Sequence, residues 1–281
     1  MNLSSITPVV LTWNEEPNLR RCLDGLGWAD RVVVVDSGST DNTLAICSEY
    51  TNVRVNLRAF DNHTHQWNHG VALAETDWIL SLDADYVLNG DFVRELESIA
   101  PATKHSAWFA PFRFLISGHP LRGSLYPPRA VLFNRIHCRY HPDGHTQLLH
   151  VDGSVGILKS RIDHDDRKPL SRWFESQRKY AVLEAEKLLA DDAPGGMADR
   201  LRRMIWPAAP AAFVYTLLVK GVILDGWPGW FYVFQRTFAE LMLSLVLLEK
   251  RLERRDDDGP KRSSAAMECS SKEQDSEPSA K

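Results

Sequence analysis

Residues 32–43 read VVVVDSGSTDNT. Four consecutive valines make a strand covered on both faces, because a half-exposed strand would alternate apolar and polar residues. The run stops on a carboxylate, Asp36, and the next six residues are small or polar. Such residues let backbone approach a ligand, and Thr40 and Asp41 are placed to cap a following helix. In an open α/β sheet the ligand crevice lies outside the carboxyl ends of the strands, which is where Asp36 falls. Alone, the stretch fits an ordinary capped strand-to-helix turn equally well.

Its surroundings extend the pattern. SITPVVLT (5–12) reads as a strand, followed by a helix in which Leu19, Cys22, Leu23 and Leu26 share one face and Pro17 suits the first turn. TLAICSEY is a second helix, VRVNL (53–57) a third strand, and WILSLDAD (78–85) a fourth after a helical stretch near 66–75. Phe92, Leu96 and Ile99 mark another helix. Alternation of strand and helix periods predicts βαβ units and a mostly parallel sheet. Beyond Pro101 the pieces SAWFAPFRFLI, RAVLFNR and VGILKSRI predict a less regular layer, and helical patterning returns at about 171–190.

The chain has 281 residues, 33 basic and 37 acidic, for a net charge of −4. No basic surplus marks a nucleic-acid binder, and none is expected as partner. Cys22, Cys47, Cys138 and Cys269 form no CxxC pair, which predicts reduced thiols and a cytoplasmic chain. MNLSSITPVVLTWNEE has neither a basic n-region nor an apolar h-region, so no secretory signal is expected.

LDAD places Asp83 and Asp85 one residue apart at the end of a buried strand, where alternate side chains share a face. That pair suits a hard divalent cation taking its remaining ligands from water and a diphosphate. A lone DxD is a weak signal, but three βα units precede this one. With TWNEEPNLRRCLDGL, VVVVDSGSTDNT, QWNHGVALAETDWILSLDAD and DGWPGW, the chain over roughly 4–250 resembles the inverting glycosyltransferases of family 2. The nearest branch resembles lipopolysaccharide core glucosyltransferases of the WaaE type.

The resemblance implies a GT-A nucleotide-diphospho-sugar transferase fold: α/β, with a Rossmann-like, mostly parallel sheet and a C-terminal helical extension associated with the membrane. Residues 1–100 would be the nucleotide-sugar half and 101–170 the acceptor half of a catalytic domain; 171–255 would form the extension. By the resemblance, Asp36 holds the base, Thr12 to Glu15 line the same pocket and Trp13 stacks on the base. Asn68 and Asp83 join the donor site, and Asp85 holds Mg²⁺ or Mn²⁺. The expected partners are a nucleoside-diphosphate sugar, a UDP-sugar first, and a lipid-linked or polysaccharide acceptor.

Departures from that pattern bear on the chemistry. Gln66-Trp67-Asn68 lacks the cation that relatives carry in the middle position, and Tyr86 replaces the usual acid after the DxD. In HPDGHTQLLH no glutamate stands where relatives have the base, which leaves Asp143 and His145 as candidates. YPPRAVLFNR lacks an expected Asp, and Arg129 stands in for an expected Arg. His164 matches a histidine common in the branch and would approach the diphosphate with Arg167 and Lys168.

From Met204 to Val219 the chain carries no charge, but Lys220, Asp225, Arg236 and Glu240 interrupt the segment beyond it, which argues against an unbroken span. RLRRMIW and the cluster Trp227, Trp230, Phe231, Tyr232 and Phe234 predict in-plane attachment to the cytoplasmic face of the inner membrane. Residues 256–281 read as a disordered tail.

Two other classes fit parts of the sequence. The first is a catalytically inactive sugar-nucleotide-binding module on the membrane, suggested by the missing glutamate. The second is a haloacid dehalogenase-like phosphotransferase, whose aspartate loop DADYV resembles. In that fold the loop follows the first strand, whereas three strands precede it here. A dinucleotide oxidoreductase fits less well still, because the first βα turn, TWNEEPN, contains no glycine fingerprint.

Overall fold

The computed structural model describes residues 1–100, 103–143, 146–190 and 196–272, with backbone only at 143, 146 and 255–272. The chain opens with β1 (Ile6–Thr12), α1 (Leu19–Asp24), β2 (Val32–Asp36), α2 (Thr43–Ser48), β3 (Val53–Leu57), α3 (His63–Leu73) and β4 (Trp78–Asp83). Next come β5 (Tyr86–Val87), α4 (Gly90–Ser98), β6 (His105–Ala110), β7 (Phe112–Ile116), β8 (His119–Pro120) and β9 (Arg129–Asn134). The strands close with β10 (Cys138–Asp143), β11 (Thr146–Val151), β12 (Ser154–Ile157) and β13 (Ile162–His164). Helices α5 (Leu170–Leu189), α6 (Met197–Arg203), α7 (Ala208–Val214) and α8 (Trp227–Lys272) complete the described chain.

The main sheet has the order β12-β6-β9-β4-β1-β2-β3. Pairings among β3, β2, β1 and β4 are parallel, as is β12 with β6; β9 runs antiparallel between β4 and β6. This is a GT-A-like α/β fold with a mostly parallel sheet. The valine run behaves as its composition requires. Val32 and Val34 pack with α1, α2 and α4 on one face, and Val33 and Val35 with Trp67 of α3 on the other. On that second face Gly70 is needed for closeness, since a Cβ there would lie 2.6 Å from the Val9 side chain.

Register sets the site. Thr12 pairs with Asp36 and Leu11 with Asp83, so the polar ends of three parallel strands finish along one edge. A second sheet, β5-β13-β7-β8, begins where β4 ends. In it His164 is opposite both Tyr86 and Phe114. The hairpin β10-β11, which the sequence does not announce, packs Cys138 and Tyr140 against the α3 face.

The chain divides into two compact units, 1–176 with 213–236, and 177–212 with 237–281. The first therefore includes 213–236, a stretch assigned from sequence to the extension. In the second, Ala181, Ala185 and Leu188 pack with Ile205, Leu243 and Leu247, and Arg202 grips Glu240 at 2.7 Å. Helical backbone runs through 256–272, part of the stretch read as a disordered tail, and across Gly259 and Pro260, two residues that disfavour a helix interior. Residues 273–281 lie outside the described residues.

Candidate active site

Asp36 ends β2 with its side chain wholly buried. One oxygen accepts from the Gly38 and Ser39 N–H groups at 3.0 and 2.8 Å; the other accepts from the Thr12 and Ser39 hydroxyls at 2.8 and 2.6 Å. The carboxylate thus fixes the polar loop from beneath, and Gly38, at φ 89°, supplies the left-handed step. Thr12 and Asp36 act here as one hydrogen-bonded unit. Asn14, itself at φ 54°, ties the β1 loop to this one by accepting from the Thr40 N–H at 2.7 Å.

The DxD pair behaves asymmetrically. Asp83 is half-buried at the end of β4. Asp85 is likewise half-buried, with one oxygen 3.2 Å from Nε2 of His164; its other oxygen and Nδ1 of His164 are buried without a hydrogen-bond partner. Burial alone would raise the Asp85 pKa, but the His164 charge and hydrogen bond, with Lys168, outweigh it and hold the group at about 2. Burial pushes His164 down, but the charge and hydrogen bond of Asp85, with the charges of Asp83 and Asp166, outweigh it, so its pKa is raised. The imidazole sits in an aromatic box: Tyr126 at 4.6 Å, Phe114 at 4.7 Å and Tyr86 at 5.3 Å between ring centroids. Tyr86 is buried and hydrogen-bonded to Tyr126. Arg129 stacks over the Tyr126 ring at 5.0 Å.

A strap after β13 crosses to the β1 loop. Lys168 reaches Glu15 at 2.7 Å, and the Arg172 guanidinium lies 4.3 Å from the Trp13 ring centre. Burial raises the Glu15 carboxyl to about 7 against the pull of Lys168. Lys168 is raised, because Glu15, Asp166 and Asp85 outweigh its own desolvation. Asp165 anchors the strap by accepting from Arg21 at 2.7 Å and from the Gly118 N–H at 3.1 Å, and it pairs with Arg167. Beneath the strap is a cavity of about 280 Å³ lined by Asn14, Pro17, Thr40, Asp41, Lys168 and Arg172, among others. A larger hollow of about 530 Å³ between α2 and β3 is lined by Leu44, Cys47, Tyr50, Arg54, Val55 and Leu57, among others.

Thr12, Trp13, Glu15, Asp36, Asp83, Asp85 and His164 are thus gathered along one edge, together with Lys168. Asn68 is not part of that cluster. Its amide donates to the Tyr140 carbonyl at 3.0 Å and accepts from the Tyr140 N–H at 3.2 Å, which pins the hairpin to α3. Gly144 and His145 lie outside the described residues, as does the Asp143 side chain. The strap contacts were missed from sequence, although the charge run DHDDRK directly after a strand was a signal for them.

Among the described residues no three His, Cys, Asp or Glu side chains converge as a metal cage. One carboxylate with a partnerless buried oxygen fits a cation that draws most of its ligands from substrate phosphate and water.

The model of glycosyl transferase family 2 matches residues 7–123. An uncharacterized glycosyltransferase of Rickettsia conorii is 30% identical over 234 residues, covering 77% of this chain and 82% of that protein. A Rickettsia felis relative matches at 30% over only 38% of either chain. The lipopolysaccharide core biosynthesis glycosyltransferase LpsC of Rhizobium meliloti is 27% identical over 65% of this chain and 71% of its own. The crystal structure of S. aureus TarS 1-349 with UDP-GlcNAc is similar over 88% of this chain and 92% of that one, at 16% identity and a TM-score of 0.47.

Proposed function

The chain belongs to glycosyl transferase family 2, and on that premise we propose that it moves a sugar, with inversion, from a UDP-sugar to a lipid-linked acceptor of the lipopolysaccharide core type. The observation that carries the donor site is Asp85, whose buried oxygen lacks a partner beside Asp83 at the strand ends. Asp85 would hold Mg²⁺ or Mn²⁺, which when bound supplies Lewis-acid stabilisation of the leaving diphosphate. His164 and Lys168 bring positive charge to the same place. Lys168 exchanges Glu15 for the diphosphate. Asp36 acts indirectly, shaping the Ser37–Thr40 loop on which the base rests, while Trp13 offers it a ring face. Asp83 faces the ribose.

Inversion is a single displacement, so a base must take the acceptor hydroxyl proton on the side of the sugar away from the diphosphate. Asp143 is assigned this role, with His145 as its alternative, because they are the proton acceptors in the segment that corresponds to the base of relatives. Asp143→Asn should lower transfer about 10²-fold or more at unchanged donor affinity. The work is done at the cytoplasmic face of the inner membrane, where UDP-sugars and a lipid-linked acceptor meet; the LpsC relationship supports that acceptor class.

A panel of nucleotide sugars with and without Mn²⁺ or Mg²⁺, scored by thermal stabilisation and slow donor hydrolysis, tests the reading. Metal-dependent stabilisation by one UDP-sugar is expected. Stabilisation without turnover on any acceptor would favour a sugar-nucleotide-binding module, and no stabilisation by any donor would reject the site.

A further inference from the structure

The first unit carries an apolar surface that the transfer reaction does not use. In residues 213–236, Leu218, Val219, Leu224, Trp227 and Phe234 are each more than half exposed. So many large apolar side chains in about 20 residues exceed the scattered exposure normal on a soluble surface. The backbone beneath them is broken: a π-turn at Tyr215–Val219, left-handed steps at Gly221 (φ 71°) and Gly226 (φ 64°), and a 3₁₀ turn between those glycines. The helical stretch before that break, Ala208–Val219, falls short of the ~20 residues that cross a bilayer. Trp227–Arg254 of α8 is, by length and composition, long and apolar enough to cross. Its first turns are nevertheless held by protein. Tyr232 and Val233 are buried, the Tyr232 hydroxyl accepts from the Leu125 N–H at 2.8 Å, and its ring packs on Phe114 at 4.9 Å.

Charge identifies what covers the surface. The charged residues of 213–236 are Lys220, Asp225 and Arg236. Asp225 is withdrawn, its side chain 7% exposed and accepting from the backbone N–H and Nε of Arg122 at 2.9 and 3.1 Å. Arg122 is neutralised by that pair, which leaves the cation Lys220, half-buried with Nζ 5.6 Å from the Tyr215 ring, on this surface. Tryptophan and tyrosine beside a cation suit the interfacial layer of an anionic bilayer.

We propose that residues 214–234 are a wedge that enters one leaflet of an anionic bilayer without crossing it. The inference rests on the lipid-linked acceptor above and adds how that acceptor is met. Arg122 and Leu125 bond to the base of the wedge and belong to the loop that carries Tyr126 onto His164. The leaflet surface therefore lies beside the loop that walls the site, and an acceptor with a short reach above the membrane suffices.

The test uses the full chain with vesicles of phosphatidylglycerol and phosphatidylethanolamine, against phosphatidylcholine alone. Co-sedimentation with the anionic vesicles, release by alkaline carbonate, and tryptophan quenching by lipids brominated near the headgroup are expected. The double variant Leu218→Asp/Leu224→Asp changes exposed positions only and should weaken partition about tenfold or more at an unchanged Tm. Should that variant misfold, Lys220→Glu must still weaken binding several-fold on the anionic vesicles alone. Four results would overturn the wedge: protein left in the supernatant, full binding by the variants, carbonate resistance with quenching at the bilayer centre, or a variant that dissociates a dimer yet still binds vesicles. UDP-sugar binding measured without lipid on the same samples separates failure of the wedge from failure of the glycosyltransferase reading.

Discussion

Asp85 and His164 meet through one atom each, Oδ2 to Nε2 at 3.2 Å, while the other oxygen of Asp85 and the other nitrogen of His164 stay buried without partners. A pair built only for stability would satisfy both remaining atoms, because an unmet buried polar group costs about 1–3 kcal/mol. Asp85→Asn removes the carboxylate at nearly constant volume. We expect at least about a tenfold loss, ~1.4 kcal/mol, in Mn²⁺-dependent UDP affinity by calorimetry, with circular dichroism unchanged. Equal affinity in the variant would show that the cation is held elsewhere.

Asn68 should behave as a structural residue although its position in the family pattern suggests the donor site. Asn68→Ala leaves the Tyr140 N–H and carbonyl without their partners. A stability loss of about 1–3 kcal/mol in chemical denaturation is expected, with UDP affinity within about twofold of wild type. A large fall in affinity at unchanged stability would return Asn68 to the donor site.

Glu15 makes stability depend on pH in an uncommon direction for a carboxylate. Its folded pKa, about 7, lies above the ordinary 4.5, chiefly through burial. The folded state therefore holds the proton more tightly than the unfolded state, so this contribution is complete below pH 4.5 and is lost as pH rises to about 7. Glu15→Gln abolishes the titration. Relative to that variant, the wild type should lose up to about 3 kcal/mol across the window. Parallel stability curves for the two proteins would mean that Lys168 keeps Glu15 ionised throughout.

How much of this was legible in the sequence depended on how local the cause was. The valine run and the strand ending in LDAD were readable because burial on both faces writes itself into consecutive residues. The hairpin was not. In HPDGHTQLLH, Pro142 and Gly144 read as a loop, and Leu148, on an exposed face, adjoins the partly buried Leu149, so the apolar residues do not alternate. Asp36 was found, but its role depends on four contacts from Thr12, Gly38 and Ser39, which only the folded loop creates. The bond between Lys168 and Glu15 joins residues 153 apart, a distance at which no periodicity carries information. The placement of 213–236 in the first unit was likewise hidden, since Tyr232 reads like the exposed aromatics around it and differs only in being buried.

Arg172 and Trp13 offer the sharpest test of where the base rests. The guanidinium lies 4.3 Å from the ring centre of Trp13, which is 46% exposed, so the arginine covers one face of the ring. A base stacking on that face must first displace the arginine. An exposed cation–π contact contributes about 0.5–1 kcal/mol, which the ligand would have to offset. Arg172→Ala removes the competitor and should tighten UDP binding about two- to fivefold. Trp13→Ala should weaken it by about tenfold or more, since base–aromatic stacking contributes about 1–3 kcal/mol. In the double variant the gain from losing Arg172 should vanish, because the arginine competes only for a ring that is no longer there. If Arg172→Ala instead weakens binding to the same degree with or without Trp13, the guanidinium contacts the nucleotide directly and the base lies on another surface.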